Sequence, residues 1–273
     1  MTQHHDESIN VSLRGITKVF LGSGGAPPVH ALGPIDLDLR RGEFFAVVGP
    51  SGCGKSTLLE VIAGLSKVSE GEVHIEGQRI NGEIMDGVGV VFQEDACFPW
   101  MNIYDNIAFG LRQTKANASE IARHVDYALG MMGLLRFANS YPAQLSGGMR
   151  QRVCIARTLV LQPRLILLDE PFGALDQQTR LLMGEELLRL WRETGATIFL
   201  ITHALDEAAM LADRIGVMSA RPGRLLDIVE TGWGRDRDSR IVETDAFGKI
   251  TAQLWQYLRG ESMKSIAHSR TAI

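Results

Sequence analysis

Cysteine is scarce in this 273-residue chain: Cys53, Cys97 and Cys154 stand far apart, and no two form a C-x-x-C pair. Such spacing predicts neither a disulfide framework nor a zinc site, and fits reduced thiols. Long apolar runs are missing too, since none approaches the roughly 18 residues that a membrane span needs. The first ten residues are polar, carry His4 and His5, and lack the apolar stretch of a secretory signal. Neither sign of charge dominates: 28 Lys and Arg stand against 32 Asp and Glu, for a net charge of −4. Without a basic patch, nucleic acid is not an expected partner, and no Lys/Arg cluster reads as a lipid anchor. Internal repeats are absent. What remains is an ordinary globular composition, 45% hydrophobic and 22% charged, long enough for one large domain with an embedded subdomain. A soluble protein is expected, one that reaches a membrane only by docking on another protein.

Apolar patterning supplies the elements. Residues 11–20 and 35–40 alternate as half-buried strands on either side of a Gly/Pro-rich loop at 22–29, and 72–80 reads as another exposed strand. These early strands suggest an antiparallel flap. Three short runs, FFAVV (44–48), LILL (165–168) and TIFLI (197–201), read as buried strands. Helical patterns follow at STLLEVIAGL after the first run, from about Tyr104 to Leu135 with a polar break at 112–120, and at 149–160, 178–193 and 206–213. Buried strands alternating with helices imply a parallel sheet covered on both faces. The tail, 231–273, predicts one more helix, with Phe247, Ile250, Leu254 and Leu258 on one stripe and the last dozen residues disordered.

Between the first buried strand and its helix lies Gly49-Pro50-Ser51-Gly52-Cys53-Gly54-Lys55-Ser56-Thr57, a match to G-x-x-x-x-G-K-[ST] in the strand–loop–helix setting that gives the motif meaning. Glycines let the backbone curl round an anion with its N–H groups inward, and the helix N-terminus adds its positive end. Lys55 is expected to reach the β- and γ-phosphates of a nucleoside triphosphate, and the Ser56 hydroxyl to ligate Mg²⁺. The run LILL ends in Asp169-Glu170. Ligands of an open parallel sheet sit beyond the carboxyl ends of its strands, so both carboxylates fall near the phosphates. Asp169 suits the Mg²⁺ shell, and Glu170 suits the attacking water as a base. His203 follows the third run, and Gln93 ends the short apolar run Val90-Val91-Phe92, from which it could reach Mg²⁺ or the water.

Leu145-Ser146-Gly147-Gly148-Met149-Arg150-Gln151-Arg152 resembles the LSGGQ signature of ATP-binding cassette (ABC) ATPases, with Met149 where Gln is commonest. Six motifs stand in that family's order over roughly residues 10–230: residues 49–57, Gln93, 145–151, 165–170, Ala174-Leu175-Asp176 and His203. The resemblance implies a P-loop NTPase core of α/β class, with a parallel sheet, an antiparallel β flap and a helical subdomain inserted at about 96–158. Residues 231–273 would be a short helical extension. Ser146, Gly147 and Gly148 precede a helix and so offer a second anion-binding terminus. One ATP uses both termini only where two copies meet head to tail, which is what the family does, with Ala174, Leu175 and Asp176 as its dimer D-loop. The family also implies an aromatic residue that stacks on adenine. Phe20 is the candidate, and a core role is its alternative.

The stretch FQEDACFPWMNIYDNIAFGL (92–111) resembles the importer branch for nitrate, sulfonate, taurine and related small anions. Phe98, Pro99 and Trp100 would form an apolar knob for docking on a transmembrane permease, or else part of the core. The resemblance thus implies a peripheral subunit on the cytoplasmic face of the inner membrane. It would work as a pair with its own second copy, and indirectly with a solute-binding protein. Exporters, soluble cassettes of translation or repair, and scaffolds that do not hydrolyse are rival readings.

Overall fold

The computed structural model describes residues 9–22, 24, 26–93 and 96–271, with side chains through Glu261 and at Met263. Ten strands and seven α-helices are found among the described residues. The first two strands, β1 (Ile9–Phe20) and β2 (Val29–Arg40), pair antiparallel, and β1 also pairs with β4 (Glu70–Ile75). Residues 72–80 are not one strand. The chain turns at Glu76 and Gly77, both at positive φ, and returns as β5 (Gln78–Ile80) against β4. This sheet, in the order β2-β1-β4-β5, is the expected antiparallel flap.

The second sheet holds β3 (Phe44–Val48), β6 (Val88–Val91), β7 (Leu165–Asp169), β8 (Thr197–Ile201), β9 (Arg214–Met218) and β10 (Leu225–Glu230), in the order β10-β9-β3-β8-β7-β6. Its first five members in chain order run parallel, and β10 closes one edge antiparallel. Every residue of β3, β7 and β8 is buried, because both faces of the sheet are covered. Successive side chains serve opposite layers: Phe44, Ala46 and Val48 enter one core, Phe45 and Val47 the other. The second core is shared with the flap and with α1 (Lys55–Ile62), which places Leu58, Leu59, Val61 and Ile62 between the two sheets.

Between β6 and β7 the structure is helical: α2 (Ile103–Ala108), α3 (Ala118–Met131) and α4 (Gly147–Leu159), joined by short 3-10 turns. Asn117 starts α3 with a capping box, its side chain accepting from the Glu120 amide while Glu120 accepts from the Asn117 amide. Helix α5 (Gln177–Thr194) follows β7, and α6 (Leu205–Leu211) follows β8.

Two elements differ from the sequence-based expectation. Strands β9 and β10 extend the sheet beyond the elements the patterning marks out. Helix α7 (Asp245–Thr271) buries Phe247, Ile250, Leu254 and Leu258 as its stripe predicts, and it extends as far as Thr271, into the last dozen residues, for which disorder is the expectation. The stripe packs into the same core as α6, and Glu261 farther along accepts from the Ala220 amide at 2.8 Å, so the helix is tied down as far as Glu261.

Candidate nucleotide site

Parallel strands place their carboxyl ends together, and four of these ends carry the candidate residues. The register does the alignment. Val91 pairs with Leu168, so Gln93 and Glu170, each two residues further on, emerge at the same level. Asp169 pairs with Ile201, and the Glu170 amide donates to the Ile201 carbonyl at 2.8 Å, which brings in Thr202 and His203.

The glycine-rich loop leaves β3 and enters α1. Gly54 is the residue before the helix, at φ 111°, and a Cβ there would lie 2.7 Å from the Ala31 carbonyl oxygen. Only glycine fits. The Lys55 side chain is buried and its ammonium donates to the carbonyls of Gly49 (2.9 Å) and Pro50 (3.0 Å), poised over the loop. Ser51 and Gly52 are exposed at the crest of the loop, while Cys53 is buried beneath it, where burial pushes its thiol pKa up. Ser56 and Thr57 lie in the first turn of α1.

Asp169 ends β7 against the loop. Its carboxylate accepts from the Ser56 hydroxyl, and Lys55 and Glu170 are near enough to act on it electrostatically. Burial holds its pKa above the usual carboxylate range, although Ser56 and Lys55 pull it down. Its Oδ1 is buried with no hydrogen-bond partner among the described residues. A buried carboxylate oxygen without a partner, beside a serine hydroxyl, is the hard-oxygen donor set that suits Mg²⁺.

Glu170 stands at φ 47°, a conformation uncommon for a residue with a side chain. Its Oε2 accepts from Gln93 Nε2 at 3.2 Å and lies 3.0 Å from His203 Nδ1. Three residues from three strand ends thus meet at one carboxylate oxygen. Their sequence separation gives no hint of how close they come.

Ser146 caps α4, its hydroxyl accepting from the Met149 amide at 3.3 Å, with Gly147 and Gly148 opening the helix. A Cβ on Gly148 would lie 2.7 Å from Leu175 Cδ2, so the second glycine lets the signature pack against the segment Ala174-Leu175-Asp176. Leu175 is buried, and Asp176 caps α5, accepting from the amide and hydroxyl of Thr179. Those two bonds hold the Asp176 pKa below the usual carboxylate range. Within this one chain the signature does not join the Gln93–Glu170–His203 cluster through any hydrogen bond or ion pair described.

Phe20 ends β1 opposite Val29 and is 43% exposed, so the core alternative fails. It lies two residues along the hairpin from Ala31, the residue that touches Gly54. Lys18 sits 5.0 Å from the ring centroid. Of the residues expected to form an apolar knob, Trp100 is 71% exposed and Phe98 packs between Trp100 and Phe109, at 5.7 and 4.7 Å. The turn is anchored by fully buried Asn106, which accepts from the Phe98 amide at 2.7 Å and donates to the carbonyls of Phe98, Met101 and Asn102.

Two neighbours of the site escape a reading by motif. Arg221 donates twice to the Gly52 carbonyl, at 2.8 and 3.1 Å, from the turn between β9 and β10. Glu207 on α6 is almost wholly buried, hydrogen-bonded to Thr202 and near Arg180 and Glu170. Burial raises it from 4.5 to about 7, with Arg180 and Thr202 opposing and Glu170 assisting. The Arg-Pro-Gly turn after an apolar run was a detectable signal for the first. A glutamate inside a seven-residue helix offers none.

Comparison with known proteins agrees with this geometry. The ABC transporter family model matches residues 32–173. A nitrate import ATP-binding protein of Synechocystis is 40% identical over 258 residues, covering 92% of this chain and 96% of that protein. A taurine import ATP-binding protein of Pelagibacter ubique is 46% identical over 218 residues, covering 79% and 82%. Among solved structures, a dimeric bacterial ABC transporter cassette superposes with a TM-score of 0.74 at 34% identity, covering 81% of this chain and 98% of that one. A dimeric post-hydrolysis cassette bound to ADP and Pi gives 0.73 at 33%, with the same coverage.

Proposed function

Because this chain belongs to the ABC transporter family, as an ATP-hydrolysing cassette, we propose that it powers a prokaryotic importer of a small anion, of the class to which nitrate and taurine belong. The convergence of Gln93, Glu170 and His203 on one carboxylate oxygen carries the catalytic part of this reading. The importer part rests on the relatives named for nitrate and taurine import and on the exposed aromatic turn at Phe98 and Trp100.

In this reading the loop 49–57 wraps the phosphates of ATP, and Lys55 exchanges its two carbonyl partners for phosphate oxygens. Phe20 lies against the adenine. Asp169, Ser56 and Gln93 would hold Mg²⁺, which supplies positive charge against the phosphates when bound. Glu170 accepts a proton from the attacking water, and His203 and Gln93 fix the direction of its carboxylate. Ser146, Gly147 and Gly148 complete the site of a second copy, with Ala174, Leu175 and Asp176 at the junction. ATP then favours the closed pair, and loss of the γ-phosphate releases it. The aromatic turn passes this motion to a transmembrane permease, served by a solute-binding protein, from the cytoplasmic face of the inner membrane. No helix among the described residues is long and apolar enough to cross a membrane itself.

Replacing Glu170 with Gln keeps the shape and removes the base. Phosphate release should fall by about 100-fold or more, the range of general-base catalysis. ATP-bound dimer should accumulate on size exclusion. A variant that turns over normally would rule out Glu170 as the base.

A further inference from the structure

The chain's thiols, unremarkable in sequence, are brought together by the fold. Cys97 Sγ and Cys154 Sγ lie 3.6 Å apart although 57 residues separate them. Cys97 is half-buried in the segment that leaves Gln93, and Cys154 is buried on α4 directly beneath it. Both neighbours of Cys97 are held: the Ala96 carbonyl accepts from Arg157 Nη1 at 2.9 Å, and Phe98 is pinned by Asn106 through its amide and carbonyl. Arg157 also lies over the Phe98 ring, 4.7 Å from its centroid. The Cys97 thiol in turn faces the Arg150 carbonyl at 3.5 Å. Arg150, Cys154 and Arg157 fall at i, i+4 and i+7, so their contacts come from a single face of α4, while Asn106 holds Phe98 from α2. The sulfur pair is therefore a fixed feature of the junction between the Gln93 segment and the signature helix. A disulfide needs the sulfurs at about 2.05 Å, roughly 1.5 Å closer than they lie here.

We propose that Cys97 and Cys154 are an oxidation site, a dithiol that peroxide converts to a disulfide tying the Gln93 segment to the signature helix. Cys97, the more exposed thiol, attacks hydrogen peroxide as its thiolate, the O–O bond breaks, and the products are a sulfenic acid and one water after proton uptake. The Cys154 sulfur attacks that sulfenic sulfur, the S–O bond breaks, and a second water leaves. The two thiols lose two protons and two electrons in all, and one peroxide becomes two waters. Cys53 takes no part, being buried in the phosphate loop with its thiol pKa raised by burial. The bond would restrain Gln93, four residues from Cys97, from moving independently of Ser146, Gly147 and Gly148 at the head of α4. Disulfide formation is independent of the importer function proposed above. Its effect on turnover rests on the proposed role of Gln93.

Purified full-length protein is treated with hydrogen peroxide, alkylated, and digested without reductant. The expected product is a cross-linked peptide pair holding Cys97 and Cys154, with the intact mass lower by about 2 Da. ATP hydrolysis should fall in step with the bond and return with dithiothreitol. The single variants Cys97→Ser and Cys154→Ala should give no cross-linked peptide and should keep their phosphate release under the same peroxide. Sulfinic acid on Cys97 with Cys154 still alkylatable, or loss of Cys53 at the same rate, would overturn the site. A mapped Cys97–Cys154 disulfide with unchanged turnover would overturn its effect on the ATPase while leaving the hydrolytic function intact. Equal inactivation of wild type and Cys97→Ser would do the same.

Discussion

Glu207 offers a measurement whose sign and size both follow from its surroundings. It is almost wholly buried on α6, its Oε1 has no partner among the described residues, and burial lifts it from 4.5 to about 7 against the pull of Arg180 and the Thr202 hydroxyl. The folded protein therefore holds a proton on this group more tightly than the unfolded chain does. Its stabilising effect is full below the unfolded value of 4.5, declines as pH rises, and is gone above about 7. At about 1.36 kcal/mol per pH unit, the rise corresponds to about 3 kcal/mol. Glu207→Gln keeps the shape and carries no titratable proton, so its stability lacks this dependence. Relative to wild type, the variant should gain about 3 kcal/mol on going from pH 4.5 to pH 8, or about 6 °C of Tm for a chain of this size. The assay is thermal unfolding of both proteins without nucleotide, at matched ionic strength, at several pH values across that window. All other titrating groups are shared, so the difference isolates position 207. Parallel Tm profiles would refute the reasoning, as would a variant that loses ground toward pH 8. Either would mean that Arg180 and Thr202 already compensate the buried charge.

Three further outcomes are open to direct measurement. Gly148→Ala puts a methyl 2.7 Å from Leu175 Cδ2, so the Leu175 side chain must shift; the variant should lose about 1 kcal/mol or less in denaturant unfolding and weaken ATP-dependent dimerisation. Asn106→Ala strips a buried turn of one accepted hydrogen bond and of two N–H groups shared among three carbonyls, and should lower stability by about 3 kcal/mol in the same assay. Trp100→Ala, at a residue 71% exposed, should stay within about 0.5 kcal/mol of wild type and keep its phosphate release as an isolated protein, while losing co-purification with its permease.

Much of the fold was legible because its signals are local. The all-apolar runs at β3, β7 and β8 are short enough for strands and too uniform for a one-sided sheet, and all three are buried throughout. The loop before α1 announces itself by glycines whose necessity is steric, as Gly54 against Ala31 shows. The stripe of α7 was visible at its spacing, whereas the persistence of that helix to Thr271 was not, since composition near a terminus says little about docking. The turn at Glu76 and Gly77 was hidden inside a run that alternates like a single strand.

By itself the sequence determined which chemistry is possible: a loop that wraps phosphate, carboxylates at a strand end, a serine-capped glycine pair before a helix. These depend on neighbours along the chain, and the chain order is enough to read them. Tertiary structure alone decided which groups meet. Strand register put Gln93, Glu170 and His203 on one oxygen, because parallel pairing converts equal offsets from paired residues into spatial proximity. Helix packing gave Glu207 a buried carboxyl and brought Cys97 to within 3.6 Å of Cys154. The spacing of the cysteines predicted no disulfide and fitted reduced thiols, and it carried no sign of this pair, since contact across 57 residues is a property of the packed chain.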